Sequence, residues 1–257
     1  LHAALIADLE RREKKFGIRK VFMINPPVNL YNSALVLDDL LINNIPTENG
    51  LPMVGDFLAR TIQQLANTYA AEKGAKFNSD FLYSAYVEGE KDKQSAFRTD
   101  RTPEGLIGFG FRLSSSAMVF ASDVMNHAGY IVPKEKVFAS NEPLDSYAEK
   151  SFLVTFQEYV DDLVIPDAMV RHPGKTPDQL IRDSSLNAIE DFLRSGPNVR
   201  AVTNKDEVIL ADGEMAYLEG VMGDRLTIYP EGGHCGNMAF VTNVDDMVRF
   251  FAAGDAK

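Results

Sequence analysis

A chain of 257 residues, 45% of them hydrophobic and 25% charged, can bury a sizeable core as one large domain or as a domain carrying a substantial insertion. The 37 Asp and Glu outweigh the 26 Lys and Arg, and the resulting net charge of -11 repels nucleic-acid phosphates and anionic membrane surfaces over most of the molecule, which argues against a nucleic-acid partner. The single cysteine, Cys235, excludes an internal disulfide framework and a multi-cysteine zinc site while remaining compatible with cytosol or periplasm; no apolar run approaches the roughly 20 residues of a spanning helix, so a soluble chain is expected.

The opening "LHAALIADLE" has neither an initiator Met nor the regions of a signal peptide, and points to residues removed upstream. Leu1, Ala4, Leu5, Ile6 and Leu9 form the apolar face of a helix. The basic run Arg11-Arg12-Glu13-Lys14-Lys15 suits its solvated C-terminal end, and Gly17 suits its stop. Val21-Phe22-Met23-Ile24 is a continuous apolar run closed by Asn25-Pro26-Pro27, the pattern of a strand buried on both faces and ended by two prolines, neither of which can donate to a ladder.

From 28 to 197 the texture is helical, with loops near 88–105 and 131–147. A helix is expected within "NGLPMVGDFLARTIQQLANTYAAEKG" and another in "SSSAMVFASDVMNHAGY", begun by Ser114-Ser115-Ser116. A third, in "TPDQLIRDSSLNAIEDFLRSG", has Thr176 as N-cap, Pro177 at the first position and Gly196 after the end. Strand character returns in "NVRAVTN" and "RLTIYP", separated by a short helix from Gly213 to Val221 with Met215, Leu218 and Val221 or Met222 inward and Asp212 as its cap. Val244, Met247, Val248 and Phe251 then fall on one helical face.

A histidine acting as general base needs a loop that substrate can reach and a carboxylate that orients its ring. His234 lies in "PEGGHCGN" just after the second of these strands, and Asp206 follows the first. Two parallel neighbours would bring both loops to one carboxyl edge of the sheet, where open α/β sheets place their sites. Glu207 competes with Asp206 for the orienting role; Asp206 is preferred because it stands nearer the strand end. Asn25, Pro26 and Pro27 end a strand at the same edge and are expected to shape the floor of a substrate pocket.

An acid after one strand, a helix, a strand ending in Pro230, then Gly232-Gly233-His234 and a final amphipathic helix resembles the C-terminal third of an α/β-hydrolase. In that family the chain order is nucleophile, acid, histidine, and a helical cap is commonly inserted between the sixth and seventh strands. The resemblance implies part of a mostly parallel α/β-hydrolase sheet, with residues 1–27 and 198–257 as core and 28–197 as a large helical cap. It makes 20–25 the sixth strand, 198–204 the seventh and 225–229 the eighth. No G-x-S-x-G occurs in the chain, so it places the nucleophile elbow upstream of Leu1, and "LHAALIADLE" resembles the helix that follows such an elbow.

The function implied is a serine-type hydrolase of a small-molecule ester or related acyl substrate, with Asp206 and His234 as acid and base, no cofactor, and an apolar pocket drawn from Met and aromatic residues between Leu51 and Phe120. This chain alone would be inactive, and a raw parallel edge strand makes its own N-terminal portion an attractive partner. The alternative is a non-catalytic module that binds a ligand or partner on a hydrolase-like scaffold.

Other reactive residues have plainer readings. Cys235 adjoins His234 but points elsewhere and suits packing. His127 and Asp123 are spaced for a surface pair, His2 and His172 lack partners at metal-ligand spacing, and no metal is expected. The pairs Asp38-Asp39, Asp161-Asp162 and Asp245-Asp246 read as solvated faces or helix starts.

Overall fold

The computed structural model describes residues 1–45 and 103–253 together with 47, 48, 51, 52, 55 and 63. Most of the helix expected between 49 and 74, the loop expected near 88–105 except its last three residues, which are the start of a helix, and much of the expected apolar pocket lie outside the described residues. The chain divides into two compact units, one formed by 1–36 and 165–257, the other by 37–164.

The first unit is an α/β layer structure around a parallel sheet. Strand β1 (Val21–Ile24) pairs with β4 (Val199–Asn204) from Val21↔Val199 to Ile24↔Val202, and β4 pairs with β5 (Leu226–Tyr229) from Ala201↔Leu226 to Asn204↔Tyr229. The order is β1-β4-β5. The central β4 is buried at every position except Arg200, as expected of a strand covered on both faces.

On one face, Val21 and Met23 meet Ala4 and Ala7 of α1 (His2–Glu13), Leu218 and Met222 of α9 (Glu214–Met222), and Phe192 and Leu193 of α8 (Glu190–Ser195) in a single core cluster. Val28, Leu186 and Ile189 join it, so 28–36 and 165–197, the latter opening with α6 (Ile165–Arg171), pack with the sheet. On the other face Phe22 contacts Phe250 and Phe251 of α10 (Val241–Ala252), with ring centroids 5.8 and 6.4 Å apart. Lys20 Nζ donates to the carbonyls of Phe250, at 2.7 Å, and Ala253, where a cation meets the negative end of the helix.

Several helices depart from their sequence patterns. The first helix buries Ala4, Ala7, Asp8 and Glu10 and leaves Ile6 exposed, because small side chains let it lie close on the sheet. It ends at Lys14 in a left-handed conformation, three residues before Gly17, and Asp8 pairs with both Arg11 and Arg12. Thr176 caps α7 (Pro177–Asp183) through a capping box with Gln179, and Gly196 follows α8, but the chain between them breaks at Ser184 and Ser185 into α7, a 3-10 turn and α8. Glu214, not Met215, is the buried residue at the start of α9, and Gly213 rather than Asp212 is its N-cap. The apolar stripe of α10 is largely uncovered, with Val244, Val248 and Phe251 exposed: three strands offer too little face to cover three helical turns.

The second unit contains the C-terminal part of α2 (Leu30–Ile42), a short antiparallel pair β2 (Thr47–Glu48) and β3 (Leu51–Pro52), and α3 (Pro103–Asn126), followed by α4 (Asp145–Leu153) and α5 (Phe156–Tyr159). The long α3 begins at Pro103, so the three serines are interior. The hydroxyls of Ser114, Ser115 and Ser116 bond back to the carbonyls of Gly110, Arg112 and Leu113, the usual outlet for Ser within a helix.

Helices α2 and α3 meet where Gly108 lies against Leu41; a Cβ there would stand 2.3 Å from the Leu41 nitrogen. Nearby, Asp38 is buried and not on a solvated face. It accepts from Arg112 Nε at 2.8 Å, from Arg112 Nη2 and from the Phe156 N–H, while Arg112 Nη1 donates to the Phe152 carbonyl. Asp123 likewise ignores the exposed His127. Its buried carboxylate accepts the N–H groups of Tyr130, Ile131 and Val132 and fixes the turn after α3.

Asp161, Asp162 and Asp245 are exposed, and Asp246 pairs with Arg249. Among the described residues no helix is long and apolar enough to cross a membrane.

Candidate functional site

The carboxyl edge of the parallel sheet in the first unit carries the candidate site. The chain leaves β1 at Asn25, leaves β4 at Asn204, and turns after β5 through Glu231–Asn237, so parallel pairing alone delivers three loops to one edge.

The imidazole of His234 meets Glu207, not Asp206. Nδ1 lies 2.9 Å from Glu207 Oε1, and the Glu207 side chain is only 1% exposed while that of His234 is 40% exposed. A carboxylate can only accept, so the proton of this bond resides on Nδ1 and leaves Nε2 as the basic nitrogen. Asp206 was the residue expected in this position. It is exposed and turned instead to the backbone of the glycine turn, accepting the N–H of Gly233 at 2.9 Å and of Gly232 at 3.2 Å. Those two bonds, Gly233 first, hold its carboxyl below the usual carboxylate range. Adjacent residues point to different sides of the chain, and nearness to the strand end does not decide which one faces the histidine.

Glu207 is oriented from behind. Asn25 Nδ2 donates to its second oxygen, Oε2, at 2.5 Å, and the Ile209 N–H to Oε1 at 3.3 Å. Asn25 is buried and left-handed at φ 44°, a conformation its short polar side chain tolerates. It therefore positions the acid from the end of β1, where a contribution to a pocket floor was expected. Pro26 is buried and Pro27 half-buried beside it.

The turn bearing His234 is built from backbone that only glycine fits comfortably. Gly232 has φ 145°, and a Cβ there would meet Asn237 Nδ2 at 2.5 Å and Asn204 Oδ1 at 2.8 Å; at Gly236 it would meet the Gly232 carbonyl oxygen at 2.1 Å. Asn204 Nδ2 donates to the Gly233 carbonyl at 2.6 Å, Asn237 Nδ2 to Asn204 Oδ1 and to the Glu231 carbonyl, and Asn243 Nδ2 to the Asn237 carbonyl. Sequence reasoning passed over these three asparagines, because Asn in turns is ordinary; the clue was their recurrence at the strand end and on both sides of the Gly-Gly-His stretch.

Cys235 adopts φ 64° and is partly buried. Burial, and then the negative charge of Glu207, push its thiol up from the ordinary range, which disfavours the thiolate a nucleophile requires. Among the described residues no group of three or more His, Cys, Asp and Glu is arranged to hold a metal ion.

Chemically, this arrangement can accept a proton at Nε2 and stabilise the imidazolium through a buried carboxylate. Comparison with family models, with curated proteins and with solved structures finds no match to the chain.

Proposed function

We propose that the chain carries the acid and base of a serine-type hydrolase acting on an ester or related acyl substrate, with a nucleophile contributed by polypeptide upstream of Leu1. The observation that carries the reading is the pairing of an exposed His234 ring with the buried Glu207 carboxylate at the carboxyl edge of a parallel sheet. In this mechanism a serine hydroxyl attacks the acyl carbon and His234 Nε2 takes its proton. The imidazolium is held by Glu207 while the tetrahedral intermediate forms, and the proton passes to the leaving group as that intermediate collapses. Water then repeats the sequence on the acyl-enzyme. Glu207 takes the role first given to Asp206, Asn25 fixes Glu207, and Asp206 holds the histidine loop.

The test is hydrolysis of p-nitrophenyl esters, with fluorophosphonate labelling, by the polypeptide that includes the region before Leu1. His234→Ala in that polypeptide is expected to lower kcat by about 10³-fold or more. A rate indifferent to His234, or no serine that takes the label, would sink the proposal and favour the non-catalytic binding module.

A further inference from the structure

We infer that residues 11–20 and the cleft at their root dock on the headgroups of an anionic phospholipid bilayer. This stretch holds six cations (Arg11, Arg12, Lys14, Lys15, Arg19 and Lys20) and one acid, a local excess of five in a chain of net charge -11, which leaves -16 for the remainder. Every residue from Arg11 to Arg19 is exposed.

The loop is a built feature. The Glu10 carboxylate accepts the N–H groups of Phe16, at 2.5 Å, and Gly17, at 2.9 Å, and the Phe16 bond above all holds that carboxyl below its ordinary range. The consequence is that Phe16, 62% exposed, and Ile18, 37% exposed, are presented between the cations instead of folding back on the core.

Behind them opens a cleft of about 380 Å³ whose rim carries Arg11, Lys14, Arg19 and Lys20 against the single carboxylate of Glu10, itself bonded to the Phe16 and Gly17 N–H groups, so the cleft mouth is net cationic. Lys20 is engaged with the end of α10, Arg11 and Arg12 share Asp8, and Lys15 pairs with Glu13 at the surface, but Lys14 has no ionic partner among the described residues.

The opposing charge of the remainder decides whether such docking is affordable. With a Debye length of about 10 Å at 0.1 M salt, a bilayer senses the charges nearest to it, and this patch presents cations at that range. Apolar side chains interleaved with Lys and Arg favour a membrane interface over a dissolved polyanion, because the acyl boundary covers Phe16 and Ile18 while the headgroups meet the cations.

Co-sedimentation of the chain with vesicles of phosphatidylcholine alone, and of phosphatidylcholine mixed with phosphatidylglycerol, tests this. Binding to the mixed vesicles only, weakened as salt rises, is the expected result. The double variant Lys14→Glu, Lys15→Glu should weaken it about a hundredfold and Phe16→Ser about tenfold, with circular dichroism unchanged since all three side chains are exposed. Equal binding to both vesicles, no binding to either, or binding unmoved by these variants would overturn the inference. So would tighter binding to a single-stranded oligonucleotide or to free glycerol phosphate, which would make the patch a site for a dissolved anion.

Discussion

Nδ1 of His234 lies 2.9 Å from Oε1 of Glu207, and the other oxygen of that carboxylate receives the Asn25 amide. This chain of contacts fixes the imidazole tautomer. In Glu207→Gln the Asn25 N–H requires an oxygen opposite it, which turns the new amide N–H₂ toward His234. The competing Ile209 N–H, at 3.3 Å against 2.5 Å for Asn25, is too long to hold the oxygen on the histidine side. Nδ1 then becomes the acceptor and the proton moves to Nε2, the form that cannot act as base. Nitrogen-15 spectra of the imidazole in this chain should show Nδ1–H in the parent and in Asp206→Asn, and Nε2–H in Glu207→Gln. An unchanged tautomer in Glu207→Gln would count against the orienting role of Asn25.

The glycines of the histidine turn differ in what they exclude. Gly236→Ala places a Cβ against backbone, and Gly232→Ala places one between Asn237 and Asn204, so both must open the loop. At Gly233, φ 53° with open space around it, alanine meets only the left-handed penalty of about 1–2 kcal/mol. Urea unfolding should rank Gly236→Ala and Gly232→Ala as more destabilising than Gly233→Ala, and the two severe variants should also shift the His234 ring resonances. Equal effects at all three positions would mean that the loop yields more easily than these distances imply.

The buried pair of Asp38 and Arg112 anchors the second unit, where Asp38 also accepts the Phe156 N–H and Arg112 donates to Phe152. Removing one partner strands a charge without water. Asp38→Ala is therefore expected to cost about 3–5 kcal/mol, and the double variant Asp38→Leu, Arg112→Met much less than the sum of its single changes. Denaturant titrations of the four proteins in this cycle measure the coupling. Additive losses would mean that the two side chains act independently.

What the sequence discloses follows from how local each determinant is. The strands at Val21–Ile24, Val199–Asn204 and Leu226–Tyr229 were legible because each is a short run of strand-forming residues with punctuation beside it: Pro26 and Pro27 after the first, Gly196 and Pro197 before the second, Pro230 and Gly232 after the third. The position of His234 at the sheet edge followed from strand order. Which of two adjacent acids would face it did not, because that depends on Asn25, which is 182 residues from Glu207 in sequence. The buried state of Asp38 was hidden for the same reason: its partner Arg112 is 74 residues away, and an Asp-Asp pair read alone looks like solvent-facing helix. The exposed stripe on α10 shows the converse limit, since periodicity reports an apolar face but not whether the sheet beneath is wide enough to cover it.

Asp206 makes a pH-dependent contribution of definite sign. The Gly233 and Gly232 N–H groups lower its pKa in the folded state, so between that value and the unfolded one, about 3.9, the unfolded chain binds more protons than the folded chain. The contribution is fully present above the unfolded value and is lost as pH falls through the folded one. Asp206→Asn retains at most a neutral acceptor and has no such dependence. The stability difference between parent and variant, from urea titrations at a series of pH values, should be constant near neutrality and shrink as pH drops below about 4. Because the carboxylate is exposed, raising the salt concentration should weaken only its charge component and leave the geometry of the glycine turn intact. A difference that grows on acidification would mean that the carboxylate is repelled at this site, contrary to its two backbone donors.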